Sequence, residues 1–475
     1  MIKELRQKLD NKEISAVELT KQYLDRIQKT NEQLNSFITI TEEHALERAE
    51  HAQRTIDEGS AGLFTGIPYA AKDLFCTKGI RTTAASKILD NYIPPYSATV
   101  IERLDDAVML GKVNLDEFAM GSSNEHSAYG PVPNPIDLTR VAGGSSGGSA
   151  ASVASGQAVF ALATDTCGST RLPAAFCGVV GFKPTYGRIP RYGVIAMASS
   201  LDTVGTITSS VEDAALVLNA LAGPDQLDTT AIQEKAEFDY TGGSIKGVRF
   251  GIPTEYLNLD GLAPAVKAVF EQRLSDITRA GGQLVEMSLP YTQYALPTYY
   301  VLCPAEVSAN MARYDGIQFG TPAPTATTLD EVFSMTREAG FRDEVKRRIL
   351  TGTFVLSAGY YDAYYKKAQQ VRTLIIQDFD TAFQNVDVIL SPTTSTPAFE
   401  LGAKTADPLA MYAADMYAAP SSLAGLPTIS IPMGSVDALP VGLQIIAPRL
   451  GETQLLTIAH AIEQELSLAP FPIAV

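Results

Sequence analysis

The sequence has few cysteines, which argues against a disulfide scaffold or a cysteine-rich metal site. Only four occur among 475 residues, and none has a neighbour at the short spacing of paired metal ligands. Scattered thiols of this kind are typical of a protein in a reducing compartment. The four are Cys76, Cys167, Cys177 and Cys303.

Long apolar segments are absent as well. The longest apolar stretch, residues 150–163, is interrupted by serine, glycine and glutamine and is too short to span a bilayer. Residues 1–10 are charged throughout and have no apolar core, so we predict no signal peptide. We therefore expect a cytoplasmic protein that does not contact a membrane.

The chain has fewer basic than acidic residues. Lysine and arginine total 37 against 53 aspartates and glutamates, which gives a formal net charge of −16. Such a surface repels phosphate backbones, which argues against nucleic-acid binding by this chain alone. It remains compatible with a subunit whose partner holds the nucleic acid. The content of 45% hydrophobic and 19% charged residues is that of a folded globular enzyme.

The order of apolar patterns predicts an α/β fold with a central mixed, twisted sheet covered by helices on both faces. No linker, repeat or low-complexity tract divides the chain, so we predict one domain over 1–475, with a peripheral helical layer at about 291–385. A capping box at Ser15 and Glu18 opens an early helix. Strands are predicted at 67–72, 158–164, 248–253, 284–287, 386–392, 428–432 and 442–447, and further helices at about 42–56, 150–155, 266–277 and 452–464.

Two loops of small residues each present a serine on a backbone without bulky side chains. The first covers residues 143–149 and contains Ser145, and the second covers 165–169 and ends at Ser169. Glycine- and serine-rich runs are usually flexible linkers, but apolar helix and strand patterns flank both of these loops. Neither serine has a histidine beside it, so Lys72, at the end of a predicted strand, is the candidate base.

Amide hydrolysis needs a reactive nucleophile, donors for the oxyanion, and a proton for the leaving ammonia. Ser169 is the candidate nucleophile, and Lys72 accepts its proton only if burial or a nearby cation keeps the amine neutral. Ser145 would relay the proton between them. The backbone N–H groups of the tight loop before Ser169 are candidate oxyanion donors; they belong to Thr166, Cys167 and Gly168. A lone lysine would more often lie at the surface, so the prediction depends on the three motifs together.

Both serine loops and the Lys72–Asp73 pair, with their spacing, resemble the amidase signature family. Beyond the second loop the resemblance extends to Arg171 and, after Leu172, to the run Pro-Ala-Ala-Phe-Cys-Gly. The resemblance implies the amidase-signature fold. It also implies that Ser169 forms the acyl enzyme, that Ser145 follows a cis peptide bond and relays the proton, and that Lys72 is the base.

The matches run almost end to end and resemble one branch of the family, the glutamine-hydrolysing A subunits of tRNA-dependent amidotransferases. Their most specific stretches are 116–123, 344–349, 357–367 and 407–412. The resemblance implies that Tyr299, Arg348 and Asp415 bind glutamine, although Tyr300 competes with its neighbour for the tyrosine role.

The same resemblance implies a set of partners. Ammonia would pass to a B subunit that binds ATP, Mg²⁺ and misacylated glutamyl-tRNA (aspartyl-tRNA in some systems), within an assembly that also contains a C subunit. The chain itself has no Walker-type phosphate loop, and we expect no metal or cofactor on it.

The chain departs from the family pattern at several positions. Cys167 replaces a usual glycine, and a positive φ there would strain the backbone by about 1 kcal/mol or more. Residues 101–111 are shortened, which would displace neighbouring structure. The other departures are Ala142, Thr170 and Leu172. These features leave two alternatives open: a stand-alone amidase that acts on another small amide, and a catalytically impaired scaffold subunit.

Overall fold

A computed structural model describes residues 1–235, 237–259, 261–468 and 471. Its strands form one mixed sheet in the order β1-β3-β2-β4-β6-β5-β10-β11-β9-β7-β8. The strands are β1 (Phe37–Ile40), β2 (Pro68–Lys72), β3 (Val108–Val113), β4 (Phe160–Asp165), β5 (Val180–Lys183), β6 (Thr203–Thr208), β7 (Arg249–Pro253), β8 (Gln283–Met287), β9 (Val388–Pro392), β10 (Thr428–Val436) and β11 (Leu439–Ile446).

Helices flank this sheet, which confirms the predicted fold class. They are α1 (Ile2–Asp10), α2 (Ala16–Leu34), α3 (Glu42–Asp57), α4 (Thr99–Glu102), α5 (Gly147–Ala154), α6 (Arg171–Cys177), α7 (Val211–Leu221), α8 (Thr254–Leu257), α9 (Pro264–Arg279), α10 (Ala295–Met311), α11 (Leu329–Gly340), α12 (Asp343–Leu356), α13 (Lys367–Ala382), α14 (Pro408–Tyr412), α15 (Ala419–Leu423) and α16 (Glu452–Glu465). Within the described ranges, no helix has the length and apolar character needed to cross a bilayer.

Local sequence explains several of these elements. Ser15 caps α2 by accepting from the Glu18 N–H, and the Glu18 carboxylate accepts from the Ser15 N–H, so the predicted capping box is confirmed. The strands β10 and β11 are longer than predicted because they form a hairpin. Its turn residues, Asp437 and Ala438, have φ of 51° and 64°. A tight two-residue hairpin turn of this kind requires a positive φ at both central residues.

The strand β2 lies between β3 and β4 and is parallel to both. Pairing runs from Pro68 beside Val108 to Lys72 beside Val113, with Leu110 as an extra residue in β3. Residues 108–111 of the shortened segment lie within β3 and pair with β2 through this bulge. Because β2 and β4 are neighbours, the residues that follow them meet at one edge of the sheet.

Candidate active site

Lys72 ends β2 and is fully buried. Its Nζ lies 2.8 Å from each of three hydroxyl oxygens, those of Ser145, Ser146 and Thr164. The Ser146 hydroxyl donates its own hydrogen to the Thr164 carbonyl at 3.2 Å, so toward Lys72 it acts as an acceptor. The amine is thus held by one hydroxyl that sequence analysis singled out and by two that it missed.

Burial lowers the pKa of Lys72 to about 7. The nearby carboxylates of Asp116, Asp165 and Asp202 act in the opposite direction and raise it, but burial has the larger effect. A lysine with such a pKa is neutral in a large fraction of molecules at neutral pH. The neutral amine has a lone pair and can accept a proton, which an ordinary surface lysine does not do at this pH.

The first serine loop turns sharply at a cis peptide bond between Gly144 and Ser145, the conformation that the family resemblance implied. Gly144 has no room for a side chain, because a Cβ there would lie 2.1 Å from Asp116 Oδ2. The Asp116 N–H donates to the Ser145 carbonyl at 3.1 Å, and its carboxylate accepts from the N–H groups of Asn124 and His126. Asp116 thus shapes this loop. From the sequence alone, Asp116 belongs to the matching stretch 116–123 and has no assigned role.

The second serine loop is built around an ion pair between Asp165 and Arg171, both fully buried. Asp165 accepts from Arg171 Nε and Nη2, each at 2.9 Å, and from the Gly168 N–H at 2.7 Å. Arg171 also donates to three more distant side chains, those of Ser421, Ser422 and Gln444. The loop that carries Ser169 is therefore fixed to α15 and β11 in the C-terminal part of the chain.

Replacing Arg171 by methionine is expected to lower the free energy of unfolding by about 3–5 kcal/mol, because Asp165 would remain buried without its cation. Chemical denaturation followed by circular dichroism measures the change. Arg313→Met is the control, since Arg313 is exposed and bonds only to Asn310 nearby. Equal denaturation midpoints for the two variants would contradict the prediction.

Ser169 is 6% exposed, and its hydroxyl makes no hydrogen bond with any described residue. The two serine loops touch through their backbones, since the Ser146 N–H donates to the Ser169 carbonyl at 3.1 Å. Within the described part of the chain, no hydrogen bond joins the Ser145 and Ser169 hydroxyls. Lys72 and Ser145 are therefore in direct contact, whereas Ser169 lies on the adjoining loop with a free hydroxyl.

The three predicted oxyanion donors differ in availability. The Gly168 N–H is occupied by Asp165, whereas the Thr166 and Cys167 N–H groups donate to no residue that the structure describes. Gly168 takes the left-handed φ of 91°, and Cys167 does not have a positive φ. The strain considered for Cys167 is therefore not present. The Thr166 hydroxyl donates to Asp202 at 2.8 Å, which fixes the start of the loop.

Asp415 lies near the Ser169 loop, because a Cβ on Gly168 would lie 2.7 Å from the Ala418 Cβ and the Ala418 N–H donates to the Asp415 carbonyl at 3.0 Å. It accepts from the Ser122 hydroxyl at 2.9 Å and from the Tyr300 hydroxyl at 2.8 Å. Tyr299 is buried with its ring edge-on to Tyr300, 4.9 Å between centroids. Of the two tyrosines, it is thus Tyr300 whose hydroxyl reaches Asp415. Ser122 was missed, although it belongs to a stretch that sequence analysis had singled out.

Arg348 lies on α12 and is 3% exposed. Its Nε donates to Glu344 Oε1 at 2.8 Å, and its guanidinium lies 5.5 Å from the ring centres of Tyr300 and Tyr412. Neither of its Nη groups bonds to a residue within the described ranges. A buried guanidinium with this edge unoccupied suits a bidentate carboxylate.

Burial raises the pKa of Asp415 to about 7, while the two hydroxyl donors and Arg348 lower it. The site therefore contains a fixed cation, Arg348, and a carboxylate that is charged above neutral pH. Such a pair matches a small zwitterion that carries both a carboxylate and an ammonium group. Among the described residues, no three His, Cys, Asp or Glu side chains are grouped in a way that would hold a metal ion.

Comparisons with known proteins identify the family of the chain. The family model described as Amidase matches residues 18–456. The chain is similar to the A subunit of the glutamyl-tRNA(Gln) amidotransferase of Coxiella burnetii, with 53% identity over 98% of this chain and 97% of the relative. The protein of the same name from Caldanaerobacter subterraneus subsp. tengcongensis is 51% identical over 100% of this chain and 98% of its own.

Solved structures are similar over nearly the whole chain. The A subunit of the glutamyl-tRNA(Gln) amidotransferase of Thermotoga maritima has a TM-score of 0.79 at 39% identity, with 94% of this chain and 91% of that chain covered. Peptide amidase of Stenotrophomonas maltophilia has a TM-score of 0.84 at 29% identity, with 100% of this chain and 98% of that chain covered.

Proposed function

The chain belongs to the amidase signature family, and from this premise we propose that it is the glutamine-hydrolysing A subunit of a glutamyl-tRNA(Gln) amidotransferase. Relatives that are at least half identical to it over nearly their full length carry that subunit's name. The observation that carries the proposal is the buried Lys72 amine, held 2.8 Å from the Ser145 hydroxyl beside the loop that ends at Ser169.

The reaction begins with the Ser169 hydroxyl, which attacks the side-chain amide carbon of glutamine. Its proton passes to Ser145, while the Ser145 proton passes to the lone pair of Lys72. A Ser145–Ser169 hydrogen bond forms when substrate fills the site, since contacts between catalytic groups often form only in the substrate complex. The Thr166 and Cys167 N–H groups stabilise the oxyanion.

The tetrahedral intermediate then collapses. Its C–N bond breaks, and the proton held by Lys72 returns through Ser145 to the leaving nitrogen, so that ammonia departs and a glutamyl ester remains on Ser169. Water attacks this ester with the same base, and the ester bond breaks. Glutamate leaves, and Ser169 regains its hydrogen.

Substrate selection depends on the two charges of the site. Arg348 binds the α-carboxylate through its free Nη edge, and Asp415 binds the α-ammonium. Tyr300, whose hydroxyl reaches Asp415, closes the pocket in the role that the resemblance gave to Tyr299. The alternative of a stand-alone amidase for another small amide is less consistent with this site. Both charged groups are buried and held by specific partners, as a site for a zwitterion requires.

The ammonia released from glutamine is used by a partner subunit. We propose that a B subunit binds the misacylated tRNA, ATP and Mg²⁺, and that a C subunit completes a heterotrimer. The net charge of −16 supports this division of labour, because a phosphate backbone is repelled by such a chain unless a partner holds it. Aspartyl-tRNA is a second candidate acceptor for the same ammonia.

Glutamine hydrolysis is expected to fall as the pH drops below 7. Lys72 and Asp415 both have a pKa of about 7, and each must lose its proton, the first to act as a base and the second to bind an ammonium. We expect kcat/KM to fall at least about tenfold for each pH unit below 6. A flat kcat/KM between about pH 5.5 and 7.5 would contradict the proposed states of both groups.

Replacing Arg348 by alanine is expected to raise the KM for glutamine about 100-fold, because the α-carboxylate loses a bidentate partner. Steady-state glutaminase assays measure this effect. The control is Arg313→Ala, which removes an exposed arginine. Unchanged glutamine kinetics would remove Arg348 from the binding site.

The experiment that tests the function is co-purification with candidate B and C subunits, followed by a glutaminase assay with and without charged tRNA. We expect glutamine to be hydrolysed and the ammonia to appear on the tRNA. Faster hydrolysis of aliphatic or aryl amides by the isolated chain would instead indicate a stand-alone amidase. Full amidation without a working Ser169, with external ammonia withheld, would indicate a scaffold.

A further inference from the structure

Two side chains without a role in the reaction surround Arg348. Glu344 accepts from Arg348 Nε at 2.8 Å, and the Tyr412 hydroxyl donates to the same Glu344 oxygen at 2.9 Å. The Tyr412 ring also stacks on Tyr300, with 4.0 Å between centroids. Glu344 is 4% exposed and also bonds Arg347, so it belongs to the buried structure of the site.

The same pocket contains two buried groups of opposite charge. The pocket contains a guanidinium, Arg348, and a carboxylate, Asp415, within electrostatic range of each other. Unless they are held apart, opposite charges in a buried site pair directly, and neither is then free for a ligand. Tyr300 touches both groups, with its hydroxyl on Asp415 and its ring beside the guanidinium.

We propose that Glu344 and Tyr412 are positioning residues that hold Arg348 by its Nε edge, away from Asp415, and so keep its two Nη groups free for the substrate carboxylate. This inference rests on the proposed function, because it concerns how the same site selects an α-amino acid amide.

Three observations support it. The contact to Glu344 uses Nε, while both Nη groups lack an acceptor among the described residues. Burial would raise the pKa of Glu344, but Arg348 and the Tyr412 hydroxyl outweigh it, so the pKa lies below its ordinary value and the carboxylate is charged. Tyr412 contacts both Glu344 and Tyr300, and it therefore connects the two halves of the pocket.

A purely structural role for the Glu344–Arg348 ion pair leads to a different expected result. Loss of a structural pair lowers stability and the turnover of every amide alike, whereas loss of a positioning group impairs only substrates that use Arg348. The compound that separates these cases is 4-aminobutanamide, which is glutamine without its α-carboxylate. It retains the reacting amide and the amine that Asp415 binds.

The test uses the full chain with its partner subunits and measures kcat and KM for both amides. Glu344→Gln is expected to raise the KM for glutamine about 10- to 100-fold with kcat within about threefold, and to leave the KM for 4-aminobutanamide unchanged. Tyr412→Phe, a milder change, is expected to raise the glutamine KM about three- to tenfold. Glu338→Gln, at an exposed position on α11, is the matched control.

A double variant tests whether Glu344 acts through Arg348. If it does, Glu344→Gln adds nothing to Arg348→Ala, and the double variant has the KM of Arg348→Ala alone. Additive effects, equal losses for both amides, or an unchanged glutamine KM would each overturn the inference. A wild-type enzyme that prefers 4-aminobutanamide to glutamine would instead overturn the proposed function. Tyr412→Phe keeps the test decisive if Glu344→Gln fails to fold.

Discussion

Replacing Ser169 by alanine is expected to abolish glutamine-dependent amidation of tRNA while leaving ammonia-dependent amidation largely intact. The variant lacks the hydroxyl that we propose forms the glutamyl ester. Removal of a nucleophile of this kind lowers kcat by about 10⁴-fold or more. In the proposed division of labour the acceptor chemistry belongs to the partner, so we expect external ammonium chloride to restore the product. Glutaminase and amidation assays on the assembled complex measure both activities.

Ser152→Ala is a matched control for this variant. Ser152 is also a buried serine beside the first serine loop, but its hydroxyl bonds the Ser149 carbonyl within α5 and not Lys72. We expect it to keep most of its glutamine-dependent activity. If Ser169→Ala lost both activities to the same extent, the division of labour between the subunits would be wrong.

Replacing Lys72 by methionine is expected to reduce glutamine hydrolysis nearly as much, because the two serines would have no proton acceptor. Residues that act as one catalytic unit show effects of similar size, so a loss of about 10⁴-fold is again expected. Lys72→Arg distinguishes a role of residue 72 as a base from a role of its positive charge. The guanidinium keeps its proton at every physiological pH and so supplies the charge without the base. We therefore expect the arginine variant to be inactive as well.

The folded state of these variants is checked by complex formation and by ammonia-dependent amidation, which need an intact chain but no base at position 72. Methionine removes a buried amine that three hydroxyls hold, and we expect it to be tolerated because burial disfavours that charge. Activity of Lys72→Arg within about tenfold of the wild type would exclude lysine as the base.

Much of the fold could be predicted because its elements carry strong local signals. The capping box of α2, the apolar stripe of α9 and the end of β2 at Lys72 all follow from residue type and spacing. The hairpin of β10 and β11 was harder, because Asp437 and Ala438 are not the usual residues of a turn with positive φ.

The proposed catalytic residues could be located because their motifs are short and contiguous. Their partners could not, since Asp116, Thr164 and Glu344 act through contacts that only the folded chain brings together. The ambiguity between Tyr299 and Tyr300 has the same origin. Adjacent residues on a helix point about 100° apart, and periodicity alone does not show which hydroxyl reaches Asp415.

The long-range bonds of Arg171 have a consequence for synthesis of the protein. Asp165 and Arg171 leave the ribosome early, whereas Ser421, Ser422 and Gln444 emerge 250 or more residues later. A nascent chain therefore carries Ser169 for about half of its elongation without the anchors that hold the surrounding loop. If Ser169 is the nucleophile, as proposed, we expect an unfinished polypeptide not to hydrolyse glutamine until these anchors have been made.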